Sequence, residues 1–152
     1  MNKENIILKF SDHRGEFNLF DSNKCDQVNI VTNIREYTFR GLHYQTNPPQ
    51  RKTVKIIQGS VLDILYNLET KELEFYKLDK ESSPLVIETK YAHGYLTLEP
   101  NTIFAYAVEG EYNPESEHSI VWSDIPSLKE VILSHTSGEN KLIISDKDKK
   151  GK

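Results

Sequence analysis

The stretch FRGLHYQ, residues 39–45, places a glycine, an arginine and a histidine inside a run that otherwise favours a β-strand. Glycine packs no side chain and weakens a strand interior, so its presence there calls for a structural reason. In a regular strand, Arg40 and His43 would point to opposite faces. A bulge at Gly41 would turn both side chains towards one ligand, as bulges do beside active sites. The alternative is an edge strand that contains glycine and leaves Arg40 in solvent.

Outward from this stretch, the chain consists of short runs rich in Val, Ile, Tyr, Phe and Thr, separated by turn residues at intervals of about ten residues, which is typical of an all-β sandwich or barrel. Little helix is expected. Strands are predicted over residues 54–57, 60–66, 75–78, 84–88, 95–98, 103–108 and 119–122. The first two flank a turn at Gln58 and Gly59.

The 152 residues fit a single domain that can bury a core without a metal or disulfide staple. We expect this domain to cover residues 1–145, followed by a charged tail at 146–152. No apolar run approaches the roughly 20 residues that cross a bilayer, and the N-terminus lacks the features of a signal peptide, so a cytoplasmic protein is expected. Cys25 is the sole cysteine, which excludes an intrachain disulfide. The net charge of −4 argues against a nucleic-acid-binding surface.

The histidine spacing argues against a metal site, because none of the 5 histidines forms an H-x-H or H-x-x-x-H pair. A metal-binding β-barrel usually carries such a pair, since alternate side chains of a strand share a face. Taken singly, a histidine is more often a structural residue than a catalyst. His43 and His93 stand out because each lies beside a glycine in an apolar, strand-like run, GLHY and AHGY.

A series of short motifs follows in order along the chain. They are DHRGEF (12–17), Gln27-x-Asn29, FRGLHYQ (39–45), RKTVKIIQGSVLD (51–63), YAHGYL (91–96), YAVEGEYNPESE (106–117), WSDIPSL (122–128) and ISDKD (144–148). In this order and spacing they resemble the dTDP-4-dehydrorhamnose 3,5-epimerase family. The resemblance implies a jelly-roll β-barrel of the cupin type that needs no metal or other cofactor. It also implies a homodimer in which a strand of one subunit completes the neighbour's pocket.

The resemblance further implies four catalytic roles. His43 matches the family's proton-abstracting base, and Asp148 matches the carboxylate that orients it. Tyr106 matches the proton donor on the opposite face of the sugar, and Lys52 matches the lysine near the keto oxygen. A role for Asp148 implies that the start of the tail is docked at the site, although its composition alone is typical of a frayed end.

Substrate-binding roles follow from the same resemblance. Arg40 matches a ligand of the diphosphate, and Gln27, Asn29 and Lys147 match nucleotide and phosphate contacts. Arg14 and Phe17 match residues that reach the base, Tyr112 matches the ring that stacks on it, and His93 and Glu117 match further pocket residues.

The chain departs from the family pattern at two positions. Leu19 stands where the family usually has a glutamate that contacts the base, so the identity of the nucleotide stays open. Asn67 stands where we expect the aspartate that pairs with the second histidine. An amide supplies no negative charge, so we expect His93 to be less basic than in relatives, which favours inversion of one carbon over two.

These residues predict a cofactor-independent epimerase that inverts C3, C5 or both in a nucleoside-diphosphate 4-keto-6-deoxyhexose, for synthesis of a cell-surface deoxysugar. One alternative is a catalytically idle protein that binds a nucleotide sugar or glycan, which would not need both His43 and Tyr106. Another is a sugar 3,4-ketoisomerase, which moves a carbonyl instead of inverting a carbon.

Overall fold

The computed structural model describes residues 7–20 and 25–151, and the side chains of residues 12–14 and 25–151. The strands are β1 (Ile7–Asp12), β2 (Gly15–Phe20), β3 (Gln27–Asn33), β4 (Thr38–Gln45), β5 (Arg51–Gln58), β6 (Ser60–Asn67), β7 (Leu73–Asp79), β8 (Leu85–Ile87), β9 (Tyr91–Thr97), β10 (Thr102–Glu109), β11 (Glu117–Ser119) and β12 (Ile143–Ile144). The helices are α1 (Pro126–Thr136) and α2 (Asp146–Lys150).

Two β-sheets form the body of the molecule. The first sheet has the strand order β3-β10-β5-β8, and the second has the order β11-β4-β9-β6-β7, with β12 paired in parallel to β4. Strands β1 and β2 pair with each other as a separate antiparallel hairpin. This arrangement is the jelly roll of the cupin type, so the predicted all-β class is confirmed.

The apolar side chains form two cores, one on each face of the second sheet. Between the sheets, Ile56 and Phe104 of the first sheet pack with Val61 and Leu65 of the second. On the outer face, Phe39 and other side chains of the second sheet pack beneath α1. The two sheets are therefore held face to face. Where this core ends, polar side chains that lie between the sheets can line a cleft.

Strands β5 and β6 are present as predicted, but the turn between them does not make a hairpin. β5 belongs to the first sheet and β6 to the second, so the chain crosses between sheets at Gly59. Gly59 has φ +80°, and a Cβ there would lie 2.3 Å from Oγ1 of Thr102. A residue with a side chain would clash at this corner, which explains the glycine.

Three local predictions need correction or addition. The strand predicted over residues 119–122 ends at Ser119, and the chain turns into a 3₁₀ turn at Trp122–Asp124. The eleven-residue helix α1 was not predicted; Leu128 and Ile132 bury its inner face one turn apart. The tail forms α2, whose N-cap Ser145 accepts a hydrogen bond from the Asp148 amide. Neither helix in the described part of the chain has the length and apolarity that membrane crossing requires.

Candidate active site

A cleft opens between the two sheets at one end of the jelly roll. It consists of adjoining cavities of about 260 Å³ and about 220 Å³. His43, Lys52 and Tyr106 line both cavities, which makes them one continuous site. His43 lies on β4 of the second sheet, and Tyr106 lies on β10 of the first. A ligand in the cleft is therefore flanked by an imidazole and a phenol from facing walls.

Of the two alternatives for the stretch around Gly41, β4 shows the bulge. Strand pairing between β4 and β9 shifts register between Arg40 and His43, and both side chains line the larger cavity. A Cβ on Gly41, which has φ +123°, would lie 2.6 Å from the Cα of Gly94 in β9. The two backbones thus approach too closely for any side chain. The edge-strand alternative is wrong, because β4 pairs with β9 on one side and with β11 on the other.

His43 is paired with Asp148 of α2. Its Nε2 lies 2.7 Å from Oδ1 of Asp148, and Oδ2 accepts a hydrogen bond of 3.1 Å from the Gly41 amide. Burial alone would raise the pKa of the Asp148 carboxyl, but these hydrogen bonds and the nearby imidazole hold it below its ordinary value. The ionised carboxylate fixes a proton on Nε2 of His43. Nδ1 is then the nitrogen whose lone pair can accept a proton.

Tyr106 and Lys52 lie together on the opposite wall. The Lys52 ammonium lies 5.8 Å from the centroid of the Tyr106 ring. Burial lowers the pKa of Lys52, partly offset by the carboxylates of Glu117 and Asp63. Burial raises the pKa of Tyr106, and a hydrogen bond with Asn29 offsets part of this rise. Tyr106 is therefore a protonated phenol at neutral pH and can donate a proton into the cleft.

The smaller cavity carries most of the polar side chains assigned to the nucleotide. Gln27 and Asn29 line it from β3 and are joined by a hydrogen bond of 2.7 Å. Glu117 accepts hydrogen bonds from the Tyr112 hydroxyl at 2.8 Å and from the Lys147 ammonium at 3.2 Å. The Tyr112 ring itself is 58% exposed. An exposed ring fixed by its hydroxyl offers a flat apolar face to a heterocycle.

The hairpin β1–β2 carries the residues assigned to the base. Arg14 is exposed and forms an ion pair of 2.6 Å with Asp12. It is not among the described residues that line the cleft. The side chains of Phe17 and Leu19 lie outside the described residues, although both positions belong to β2. The structure thus does not bring Arg14 to the other predicted site residues within this chain.

The expectation that His93 lacks a carboxylate partner is wrong. Nε2 of His93 lies 2.7 Å from Oδ1 of Asp63, which is fully buried in β6. Leu65 faces His93 directly across β6 and β9, and Asp63 and Asn67 lie two residues to either side of it. Asn67 instead accepts hydrogen bonds from the amides of residues 69 and 70 in the β6–β7 turn. The argument from Asn67 for inversion of a single carbon therefore fails.

Several residues of the site were missed from the sequence. They are Val31, Asp63, Tyr95, Phe104 and Ser145, together with Asn33, which contacts Arg40. Strand alternation was a usable signal for some of them, because Phe104 shares a face with Tyr106, and Tyr95 shares one with His93. Within residues 7–20 and 25–151, no group of three or more His, Cys, Asp or Glu side chains is arranged to hold a metal ion.

Comparison with known proteins points to one family. The sequence model of that family, described as dTDP-4-dehydrorhamnose 3,5-epimerase, matches residues 7–152. A protein of that description from Mycobacterium tuberculosis (strain H37Rv) is 33% identical over 96 residues, which are 59% of this chain and 47% of that protein. The chain thus spans about half the length of several curated relatives that it matches.

Solved structures are similar over almost the whole chain. The dTDP-4-dehydrorhamnose 3,5-epimerase of Bacillus anthracis, with TDP and PPi bound, is 29% identical with a TM-score of 0.76, covering 95% of this chain and 89% of that one. A dTDP-6-deoxy-D-glucose-3,5-epimerase from Legionella pneumophila, in complex with dTDP-4-keto-L-rhamnose, is 26% identical with a TM-score of 0.75, covering 93% and 81%.

Proposed function

Since this chain belongs to the dTDP-4-dehydrorhamnose 3,5-epimerase family, we propose that it is an epimerase that inverts C3, C5 or both in a dTDP-linked 4-keto-6-deoxyhexose. The observation that carries this proposal is the position of His43 and Tyr106, which line the same cavity from facing sheets. Inversion of a carbon needs a base on one face of the sugar and an acid on the other. These two side chains meet that requirement.

In this proposal His43 removes the hydrogen next to the ketone. Asp148 supports the step because it accepts from Nε2 at 2.7 Å and leaves Nδ1 as the accepting nitrogen. A hydrogen next to a ketone is a weaker acid than imidazolium by on the order of ten pKa units, so unaided transfer is uphill by roughly 14 kcal/mol. The negative charge that develops on the ketone oxygen must therefore be stabilised within the site.

Lys52 is the cation proposed to stabilise that enolate. Its ammonium lies beside the Tyr106 ring on the wall opposite His43. Burial lowers its pKa, and the same exclusion of water strengthens its attraction to a developing negative charge. Tyr106 then returns a proton to the carbon from the opposite face, which gives the inverted product.

The nucleotide is proposed to bind along the smaller cavity, and its diphosphate at Arg40 and Lys147, which line the larger cavity. The similar Bacillus anthracis structure, which holds TDP and PPi, supports this class of ligand. Tyr112 is proposed to stack on the base, and Gln27 and Asn29 to contact the nucleotide from β3. His93 lines the larger cavity and Glu117 lines the smaller one, and both are proposed as further pocket residues.

We also propose that the protein is a homodimer. Strand β3 is at the edge of the first sheet, and its outward residues Val28 and Ile30 are 41% and 70% exposed. An apolar edge strand of this kind favours pairing with another chain. We propose that the second subunit contributes its Arg14 to the cleft, which Arg14 of the same chain does not line. Sedimentation velocity should show a dimer that Ile30→Lys shifts to monomer; a wild-type monomer would refute this assembly.

Proton exchange in deuterated water tests the activity. We expect incubation with dTDP-4-keto-6-deoxyglucose to place deuterium at C3, C5 or both without movement of the carbonyl, read by NMR. Absence of any exchange would indicate an idle binding protein. A ketone that moves to C3 would indicate a 3,4-ketoisomerase instead. Either outcome rejects the epimerase.

A further inference from the structure

Arg40 is held by a side chain from the facing sheet. Its Nε donates a hydrogen bond of 2.9 Å to Oδ1 of Asn33, the last residue of β3. Arg40 lies on β4 and is exposed at the cleft. With Nε engaged, the two terminal nitrogens of the guanidinium remain to form a fork on an anion. The contact therefore fixes the direction in which an otherwise flexible side chain points.

Asn33 is itself fixed on two further sides. It is 2% exposed, and its Nδ2 donates to the Thr102 carbonyl at 3.2 Å and to the Tyr95 hydroxyl at 3.3 Å. Tyr95 stands directly opposite Arg40 in the pairing of β9 with β4. The amide thus joins the first sheet to a tyrosine and an arginine of the second. Such a buried amide with its groups satisfied has one orientation available.

Tyr95 lines the same cavity as Tyr106 but is placed differently. Its ring lies flat on Phe104 with centroids 4.1 Å apart, and its hydroxyl contacts Asn33. Burial raises the pKa of Tyr95 to about 12. A phenol so weakly acidic and already engaged is a poor proton donor. Its hydroxyl is better suited to holding Asn33 than to the chemistry.

We propose that Asn33 and Tyr95 position the Arg40 guanidinium for the diphosphate of the nucleotide sugar, an inference that rests on the proposed function. Neither residue needs to touch the substrate. Because an arginine side chain loses much rotamer freedom when it binds, a guanidinium fixed in advance loses less and binds more tightly. The pair acts on phosphate binding, and the proton transfers at His43 and Tyr106 do not depend on it.

The test is a double-mutant cycle on diphosphate binding. The variants are Asn33→Ala, Tyr95→Phe, Arg40→Ala and Asn33→Ala combined with Arg40→Ala, with dTDP and inorganic pyrophosphate as probes in titration calorimetry. We expect about tenfold weaker binding of both probes for Asn33→Ala and a smaller loss for Tyr95→Phe. In the Arg40→Ala background, Asn33→Ala should add no further loss, because its effect passes through the guanidinium. In turnover, KM should rise while kcat is nearly retained.

Tyr66→Phe is the matched control. Tyr66 is a half-buried tyrosine of β6 in the outer core, so loss of its hydroxyl should leave dTDP binding unchanged. If Asn33→Ala weakens probe binding by the same factor in the wild-type and Arg40→Ala backgrounds, Asn33 has a structural role only and the inference is overturned. Tyr95→Phe, which removes a single hydroxyl, keeps the test valid if Asn33→Ala does not fold. A wild-type protein that binds neither probe also overturns it.

The inference and the proposed function can fail separately. If dTDP binding depends on Asn33 through Arg40 but no deuterium enters the sugar, the epimerase is rejected and the positioning role stands. If deuterium exchange is normal but the effects of Asn33→Ala and Arg40→Ala on binding simply add, the positioning role is rejected and the epimerase stands.

Discussion

The two histidine–carboxylate pairs of the cleft share a separation of 2.7 Å but are built in different ways. His43 is 29% exposed, and its partner Asp148 is 105 residues away in α2. The side chain of His93 is 8% exposed, and its fully buried partner Asp63 lies on the adjacent strand of the same sheet. One pair therefore joins two distant parts of the chain at the cleft surface, and the other lies within a single sheet.

The carboxylates also differ in how they are satisfied. Both oxygens of Asp148 accept hydrogen bonds, from His43 and from the Gly41 amide. Oδ2 of Asp63 is buried and has no hydrogen-bond partner in the described part of the chain. We infer that the reachable, fully bonded pair exchanges protons with the substrate, whereas the buried pair fixes the floor of the cleft. Equal chemistry thus does not imply equal function.

Replacement of each histidine is the most severe test of this difference. We expect His43→Ala to lower deuterium incorporation by about a thousandfold or more, the upper range for loss of a general base. His93→Ala should retain a measurable rate. Circular dichroism would establish that both variants fold. A folded His43→Ala variant with normal exchange would refute the assigned base, and equal losses would remove the distinction between the pairs.

Replacement of Asp148 should have the next largest effect. Asp148→Asn places an NH₂ group against either Nε2 of His43 or the Gly41 amide, both of which donate to Asp148 in the wild type. The asparagine therefore no longer fixes the tautomer of His43. We expect kcat to fall by roughly 10- to 100-fold, less than the roughly 10²–10⁴-fold that a general base itself contributes, because Asp148 acts through His43, with a modest rise in KM. Steady-state kinetics measures this change. Truncation before Asp148 should do at least as much, and an active truncated protein would show that α2 is dispensable.

Replacement of Asp63 should change stability more than rate. Asp63→Ala removes the carboxylate and leaves the buried Nε2 of His93 without its partner. Leaving a buried polar group unsatisfied costs about 1–3 kcal/mol of unfolding free energy. Urea denaturation of the variant and the wild type measures the difference. A loss of activity larger than that of Asp148→Asn, at unchanged stability, would reverse the roles of the two pairs.

The smallest effect is the pH dependence that Asp148 adds to stability. Its pKa in the folded protein lies below its ordinary value of 3.8. Its contribution is therefore present above about pH 4 and is lost as pH falls through the lower, folded pKa. Each pKa unit of depression contributes about 1.4 kcal/mol. Urea denaturation at a series of pH values should show this loss in the wild type and not in Asp148→Asn.

Local sequence patterns predicted the strands β5 to β10 and offered the β4 bulge as one of two alternatives, because each has a local cause. Strand residues alternate or cluster, and Gly41 marks the point where two backbones approach. The local sequence does not determine to which of the two sheets a strand belongs. A short turn after Gln58 suits either a hairpin or a crossing between sheets, and only the strand pairing of the folded protein distinguishes them.

The pairing of the second histidine could not be read from strand periodicity. Asp63 and Asn67 lie on the same face of β6, each two residues from the residue opposite His93. Periodicity therefore treats them alike, and only the folded structure shows that Asp63 makes the contact while Asn67 bonds within the turn. Helix α1 was a different case, because Pro126 in its first turn and the spacing of Leu128 and Ile132 are ordinary helix signals.

The separation of Asp148 from His43 along the chain also bears on when the candidate site becomes complete during folding. Closing a contact over 105 residues costs more chain entropy than closing one over 30, the separation of Asp63 from His93. During refolding, a molecule whose sheets have assembled before α2 docks would carry Tyr106, Lys52 and His93 in place, and its turnover would be reduced at least as far as that of Asp148→Asn. Lys147 lies on α2 as well, so turnover and dTDP affinity should rise together as α2 docks during refolding.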